Sequence, residues 1–203
     1  MKDKDEELDK VLLSKEITVK KYKDLVNKQD KEGIAQFIFD RFDERYIAPL
    51  KSIPKKKKNG FCIMANCCLM IEALESFYQG SENTKGSGTE TFKSFFNRVE
   101  EFRDLKDCSS EFYTHVRCGI LHQAETTGGW RIIRRGPLFD SNKLTINATE
   151  FLNRLEEYLK KYSDNLRSKG WNSLRWKKLR KKMKSVIKNC ERSQEKCQQN
   201  HQQ

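Results

Sequence analysis

Residues 61–79, FCIMANCCLMIEALESFYQ, are apolar on nearly every side until their last turn. A helix with that pattern has to be surrounded, so the rest of the chain is organised around it. Gly80 stops it. Its longest apolar part, residues 61–74, is interrupted by Asn66 and Glu72, and it falls short of the ~20 residues a membrane span needs. Glu72 is a carboxylate inside an apolar run, and burial of such a group is costly without a partner. Arg117 is the candidate partner.

Apolar spacing predicts further helices. Ile34, Phe37, Ile38, Phe42 and Tyr46 recur at helical intervals, with Asp30 placed to cap the start and Pro49 to mark the end. Phe92, Phe95, Phe96, Val99 and Phe102 form an aromatic stripe on a helix opened by Thr89 or Thr91. Asp107, Ser109 and Ser110 are capping residues for the next helix. Phe151, Leu152, Leu155, Tyr158, Leu159 and Tyr162 lie on one face of a helix capped by Asn147 or Thr149. Between these helices the period changes. WRIIRR (130–135) and KLTIN (143–147) read as two short strands of a β-hairpin joined through GPLFDSN. Three prolines and ten glycines leave room for long helices. The expected fold is a mainly α-helical bundle with a small β-hairpin inserted before the last core helix.

The chain divides into four segments. Residues 1–30 are a charged helical arm with two short helical patterns, residues 31–166 the helical domain, residues 167–190 a basic helix and residues 191–203 a polar tail with His201 inert. Within 167–188 there are ten Lys and Arg and no acid, interleaved with Trp171, Leu174, Trp176, Leu179, Met183 and Val186. Two readings stand: a basic helix lying on RNA or an acidic partner, or Trp171 and Trp176 docked on the domain with the lysines in water. The KSIPKKKKNG segment (51–60) and residues 80–88, GSENTKGSG, read as linkers. A net charge of +12 favours an anionic partner, nucleic acid first. The seven cysteines are odd in number, and three lie in the apolar helix. With a charged start, MKDKDEELDK, this implies reduced thiols and a cytoplasmic chain without a membrane span.

The chemistry-bearing stretch is YTHVRCGILHQAE (113–125), which holds two of the three histidines. Arg117 and His122 are five residues apart, roughly 140° around a regular helix, so a break at Gly119 is needed for both to address one groove. Imidazole gives and takes protons near neutrality and can deprotonate a ribose 2′-hydroxyl or protonate a leaving 5′-oxygen. Guanidinium stays charged, matches phosphate oxygens in a planar fork and stabilises charge on the five-coordinate phosphate. Such a site needs no metal or cofactor and cuts RNA, whose 2′-hydroxyl is the nucleophile. The bland alternative is an Arg and a His packed in an ordinary helix. His115, Cys118 and His122, at i, i+3 and i+7, are metal-ligand types, but a fourth ligand is not evident and packing accounts for them.

The stretch RCGILH, preceded by the apolar helix CCLMIEALESF and the aromatic helix FKSFFNR, resembles the HEPN superfamily of α-helical domains over residues 33–166. That superfamily is marked by an Arg, four to six residues, then a His, and includes metal-independent ribonucleases of toxin–antitoxin and anti-phage systems. The resemblance implies Arg117 and His122 as catalytic residues, with Glu72, Cys118, Gln123 and Glu125 in support. It also implies a homodimer through the Arg117–His122 region and an antitoxin protein as a partner. Basic residues suited to hold RNA are Arg131, Arg134, Arg135, Lys177, Lys178, Arg180 and Lys181. The chain departs from the pattern at Cys118, where catalytic members often carry a polar Asn or Asp, and at Ala124, where one toxin branch has Tyr. The same resemblance admits a non-catalytic RNA-binding or dimeric assembly module.

Overall fold

The computed structural model describes residues 2–54, 56–82 and 86–200, with side-chain surroundings for 6–54, 56–82 and 86–191. Lys55 of the expected basic linker, residues 83–85 of the expected linker at 80–88, and His201 lie outside the described residues. The protein is mainly helical with one small sheet. It divides into two compact units, one from residues 1–44, 76–82 and 162–203, the other from residues 45–75 and 83–161.

In the first unit, α1 (Lys2–Lys10) and α2 (Val19–Asn27) are joined by a loop closed at a Leu12–Thr18 bridge. The segment expected to be a charged arm buries Leu8, Leu13, Val19 and Tyr22. Tyr22 packs on Phe37 of α3 (Lys31–Phe42) at 5.6 Å. Asp30 caps α3, its carboxylate accepting from the Gly33 amide at 2.9 Å. The helix does not end at Pro49. A π-helical turn, Asp43–Ile47, leads into α4 (Ala48–Lys51), where the proline sits in the first turn and its missing N–H leaves no bond broken.

The basic segment is resolved by its tryptophans. Trp176, on α10 (Leu174–Asn200), is fully buried, and its indole N–H donates to the Leu166 carbonyl at 3.0 Å. Leu179 and Met183 are buried on the same face. Several cations of α10 are turned inward. Arg175 stacks on Tyr78 at 3.5 Å and donates to its carbonyl, Arg180 lies over Trp171 at 4.4 Å, Lys178 donates to Gln79, and Lys182 donates to the Glu82 carbonyl.

The second unit is built on α5 (Gly60–Gln79) up to Glu75, α6 (Gly88–Arg98), a 3₁₀ segment (Glu100–Cys108) and α7 (Ser109–Glu111). A π-helical stretch (Phe112–Cys118), α8 (Gly119–Gln123) and most of α9 (Ala148–Ser168) complete its helices. At 20 residues α5 has the length and hydropathy of a membrane span, longer than the sequence reading allowed, because Gly60 and residues 75–79 join the same helix. Its Ile63, Met64, Cys67, Cys68, Met70, Ile71 and Leu74 are buried, which makes it a core helix.

All five members of the aromatic stripe are buried. Phe96 meets Phe112 edge-on at 5.2 Å, and Phe112 stacks on Phe151 at 5.6 Å. The stripe is not one helix: Val99 is extended and the chain continues as 3₁₀. Neither Asp107 nor Ser109 caps α7, since Cys108 holds the N-cap position without a side-chain bond and Ser109 is buried. Asn147 does cap α9, accepting from the amides of Thr149 and Glu150.

The expected hairpin is corrected. β1 (Arg131–Ile133) and β3 (Thr145–Asn147) do pair, but in parallel, and a strand within their connection, β2 (Phe139–Asp140), pairs antiparallel on the other side of β3. The tight turn lies at Asp140, whose carboxylate accepts from the Asn142 and Lys143 amides. That turn makes β2–β3 the local hairpin and leaves the other edge of β3 to β1.

Candidate active site

The site is assembled in the second unit where α5 passes the helix carrying residues 112–123. Arg117 Nε donates to Glu72 Oε1 at 2.8 Å, and both side chains are about four-fifths shielded, at 18% and 19% exposed. The pair inferred from a carboxylate in an apolar run is therefore present. Burial pulls the Arg117 guanidinium down, but the Glu72 hydrogen bond and charge outweigh it and leave it raised, so it is charged throughout the working range.

Sequence reasoning assigned Tyr113 to packing, and the structure adds it to this cluster. The Arg117 guanidinium carbon lies 5.5 Å from the Tyr113 ring centroid, within the range of a cation–π contact. The phenol also hydrogen-bonds to Cys118; burial first and that bond second push it up. The reason is the π-helical stretch. An i→i+5 ladder brings residue i+5 beneath residue i, so Tyr113 meets Cys118 as well as Arg117. Periodicity counted at 3.6 residues places Cys118 well off that face, and no sequence signal marks the wider turn. Space for the phenol comes from Gly88, where a Cβ would collide with the Tyr113 ring and hydroxyl. Cys68, one turn before Glu72 on α5, is fully buried, and burial, then the Glu72 charge, push its thiol up.

His122 lies on α8, exposed, with exposed Gln123 and Glu125 beyond it. Ala124 is left-handed at φ 57° and ends the helix. The π-helical stretch precedes the Arg117–His122 interval and does not span it, so the two side chains still leave the axis on the order of 120° apart. Gly119 is α-helical and makes the close backbone approach expected of it, with no kink: a Cβ there would stand 2.5 Å from the Glu125 carbonyl oxygen. His115 is turned to structure. Its Nδ1 is 2.8 Å from the Thr127 hydroxyl, its carbonyl accepts from the Thr127 amide at 3.0 Å, and its ring lies against Gly128. His115, Cys118 and His122 thus face different neighbours, and among the described residues no group of His, Cys, Asp or Glu is arranged to hold a metal ion.

Comparison with protein-family models, with curated proteins and with solved structures finds no match for this chain. Its chemistry rests on its own residues.

Of the basic residues near the sheet, Arg131 and Arg135 are exposed, while Arg134 is committed internally. Arg134 Nε donates to the Thr149 hydroxyl at 2.6 Å and Nη1 donates to Asn59. A second buried ion pair also went unread. Glu75, 3% exposed, accepts from Arg98 at 2.5 Å and from the Ser94 hydroxyl at 2.7 Å, and Arg98 donates to the Tyr158 hydroxyl at 2.6 Å. Glu75 stands where the apolar run gives way to polar residues, so it carried no signal of burial.

Proposed function

We propose that the chain is a metal-independent endoribonuclease of HEPN type, with Arg117 binding and polarising the scissile phosphate and His122 moving the proton. The observation that carries this reading is the Glu72–Arg117 pair: a shielded carboxylate fixes one edge of a guanidinium and leaves its other N–H groups to meet a phosphate. The exposed imidazole of His122 suits proton transfer to or from a substrate arriving from solvent. Attack by the 2′-hydroxyl on the adjacent phosphorus forms a 2′,3′-cyclic phosphate and expels the 5′-oxygen, which takes up a proton. One such imidazole leaves the reaction short of a second acid or base, and a symmetric dimer supplies it. Phe61, Leu69 and Leu121 are exposed apolar side chains, and such pairing would cover them. A toxin or defence role, with an antitoxin as partner, follows from the same proposal.

The test is incubation of labelled single-stranded RNA in EDTA with the chain and its Arg117→Ala and His122→Ala variants. Cutting that leaves 2′,3′-cyclic ends, and is lost in both variants, is the expected result. Intact RNA across a range of pH with folded protein refutes it. The second reading, a non-catalytic RNA-binding or assembly module, is favoured by the divergence of Arg117 and His122 around the helix; RNA retained without cutting assigns it.

A further inference from the structure

The side chains of Lys177, Lys181, Lys184 and Lys188 are all exposed on α10 and have no hydrogen-bond or ion-pair partner among the described residues. Their spacing of four, three and four residues keeps them within roughly 60° of one another around the helix, along a line of about 16 Å. Trp176, Leu179 and Met183 anchor the opposite side of the same helix. The other cations of α10, Arg175, Lys178, Arg180 and Lys182, are bound to Tyr78, Gln79, Trp171 and Glu82. The basic residues therefore fall into two sets. One is spent on the fold, and the other is a straight row of uncommitted ammonium groups on a rigid support. No acid interrupts the row before exposed Glu191.

We infer that this lysine row is a track for the phosphate backbone of single-stranded RNA. Lysines are point charges that need no bidentate geometry, so they suit a polymer with one charge per unit and any sequence. A membrane surface would call for apolar side chains beside the row, and Leu174 is the one large exposed apolar side chain on α10 among the described residues. The choice of RNA rests on the ribonuclease proposal; the track itself is a binding surface and takes no part in the chemistry. It also redraws the sequence-based set: Lys184 and Lys188 join it, and Lys178 and Arg180 leave it.

The test uses the full chain carrying His122→Ala, so that the probe survives, and a labelled oligouridine long enough to span the row. Binding is measured over a series of salt concentrations. Replacing all four lysines by Gln is expected to lower affinity about tenfold or more near 100 mM salt and to flatten the log–log salt slope by about 3, since each single-strand phosphate contact contributes about 0.7. The four-fold Lys→Arg variant is expected to bind like the parent. Lys178→Gln is expected to leave the slope unchanged. Melting curves show that the variants are folded, which surface exchanges on an exposed face permit. Unchanged affinity and slope in the Gln variant overturn the proposal, as does an equal loss in the Arg variant. Loss of binding to anionic phospholipid vesicles with RNA binding intact reassigns the row to a membrane and also overturns it. RNA bound but not cut by the unmodified chain removes the ribonuclease reading and leaves the track standing.

Discussion

Replacing Gly119 by alanine sets two effects of known sign against each other. Gly119 has ordinary helical angles, φ −56° and ψ −53°. Alanine is therefore conformationally allowed there and gains about 1 kcal/mol of helix propensity. Against this, the added Cβ would sit 2.5 Å from the Glu125 carbonyl oxygen, 3.3 Å from the Thr126 Cα and 3.4 Å from the Thr127 nitrogen. The first is roughly 0.8 Å closer than even a tight carbon–oxygen contact. All three atoms are backbone, so no side-chain rotation relieves them. The loop is also tied down, since the Thr127 amide donates to the His115 carbonyl and the Thr126 hydroxyl donates to the Trp130 carbonyl at 2.6 Å. Overpacking of this kind costs about 1–3 kcal/mol, and a loop hydrogen bond lost in the adjustment about 1 kcal/mol more. The net expectation is destabilisation by about 1–3 kcal/mol, measured by urea unfolding followed by circular dichroism. Gly170→Ala is the control: nothing stands within 4 Å of its Cβ position, and it should be neutral or stabilising by up to about 1 kcal/mol. If Gly119→Ala is as stable as the parent, the close approach of residues 125–127 to α8 is wrong.

Three other outcomes rest on the same reasoning. Burial alone would raise the Glu156 carboxyl, but the hydrogen bond and charge of Lys51, aided by Lys160, outweigh it and hold it below the usual carboxylate value of about 4.5. A depressed carboxylate gives stability that is present above its unfolded pKa and lost as pH falls through the folded one, so Glu156→Gln should flatten the fall of urea midpoint below pH ~4.5. Arg134→Ala should cost about 1–2 kcal/mol through its bonds to Thr149 and Asn59, whereas Arg135→Ala should leave the melting temperature unchanged. Thiol labelling of the native chain should reach exposed Cys62 and spare Cys67 and Cys68 until urea unfolds it; Cys108, pushed up to about 11 by burial first, should react slowly at pH 8.

What the sequence made legible was what depends on periodicity and burial cost. The apolar run of α5, the aromatic stripe and the α9 face are repeats of 3.6, and the Glu72–Arg117 contact follows from the expense of an unpaired carboxylate. The sheet was misread because two strand-like runs with a turn between them predict a hairpin, and the pattern is silent about Asp140 making its own, nearer turn. The cations of α10 could not be sorted by composition: Arg180 and Lys181 are adjacent in sequence, yet one lies over Trp171 and the other is exposed. Tyr113 was missed because a helix was assumed to keep one pitch.

That change of pitch makes residue count, more than residue identity, the variable that aims Arg117. A π-helical turn is an α-helix holding one residue too many. Removing one residue between Phe112 and Val116 would restore the ordinary winding and swing everything downstream by roughly 100°. Arg117 would then turn away from Glu72 with its side chain chemically intact. Two chains with the same Arg and His, differing by a single upstream residue, would share a motif on paper and hold it against different neighbours.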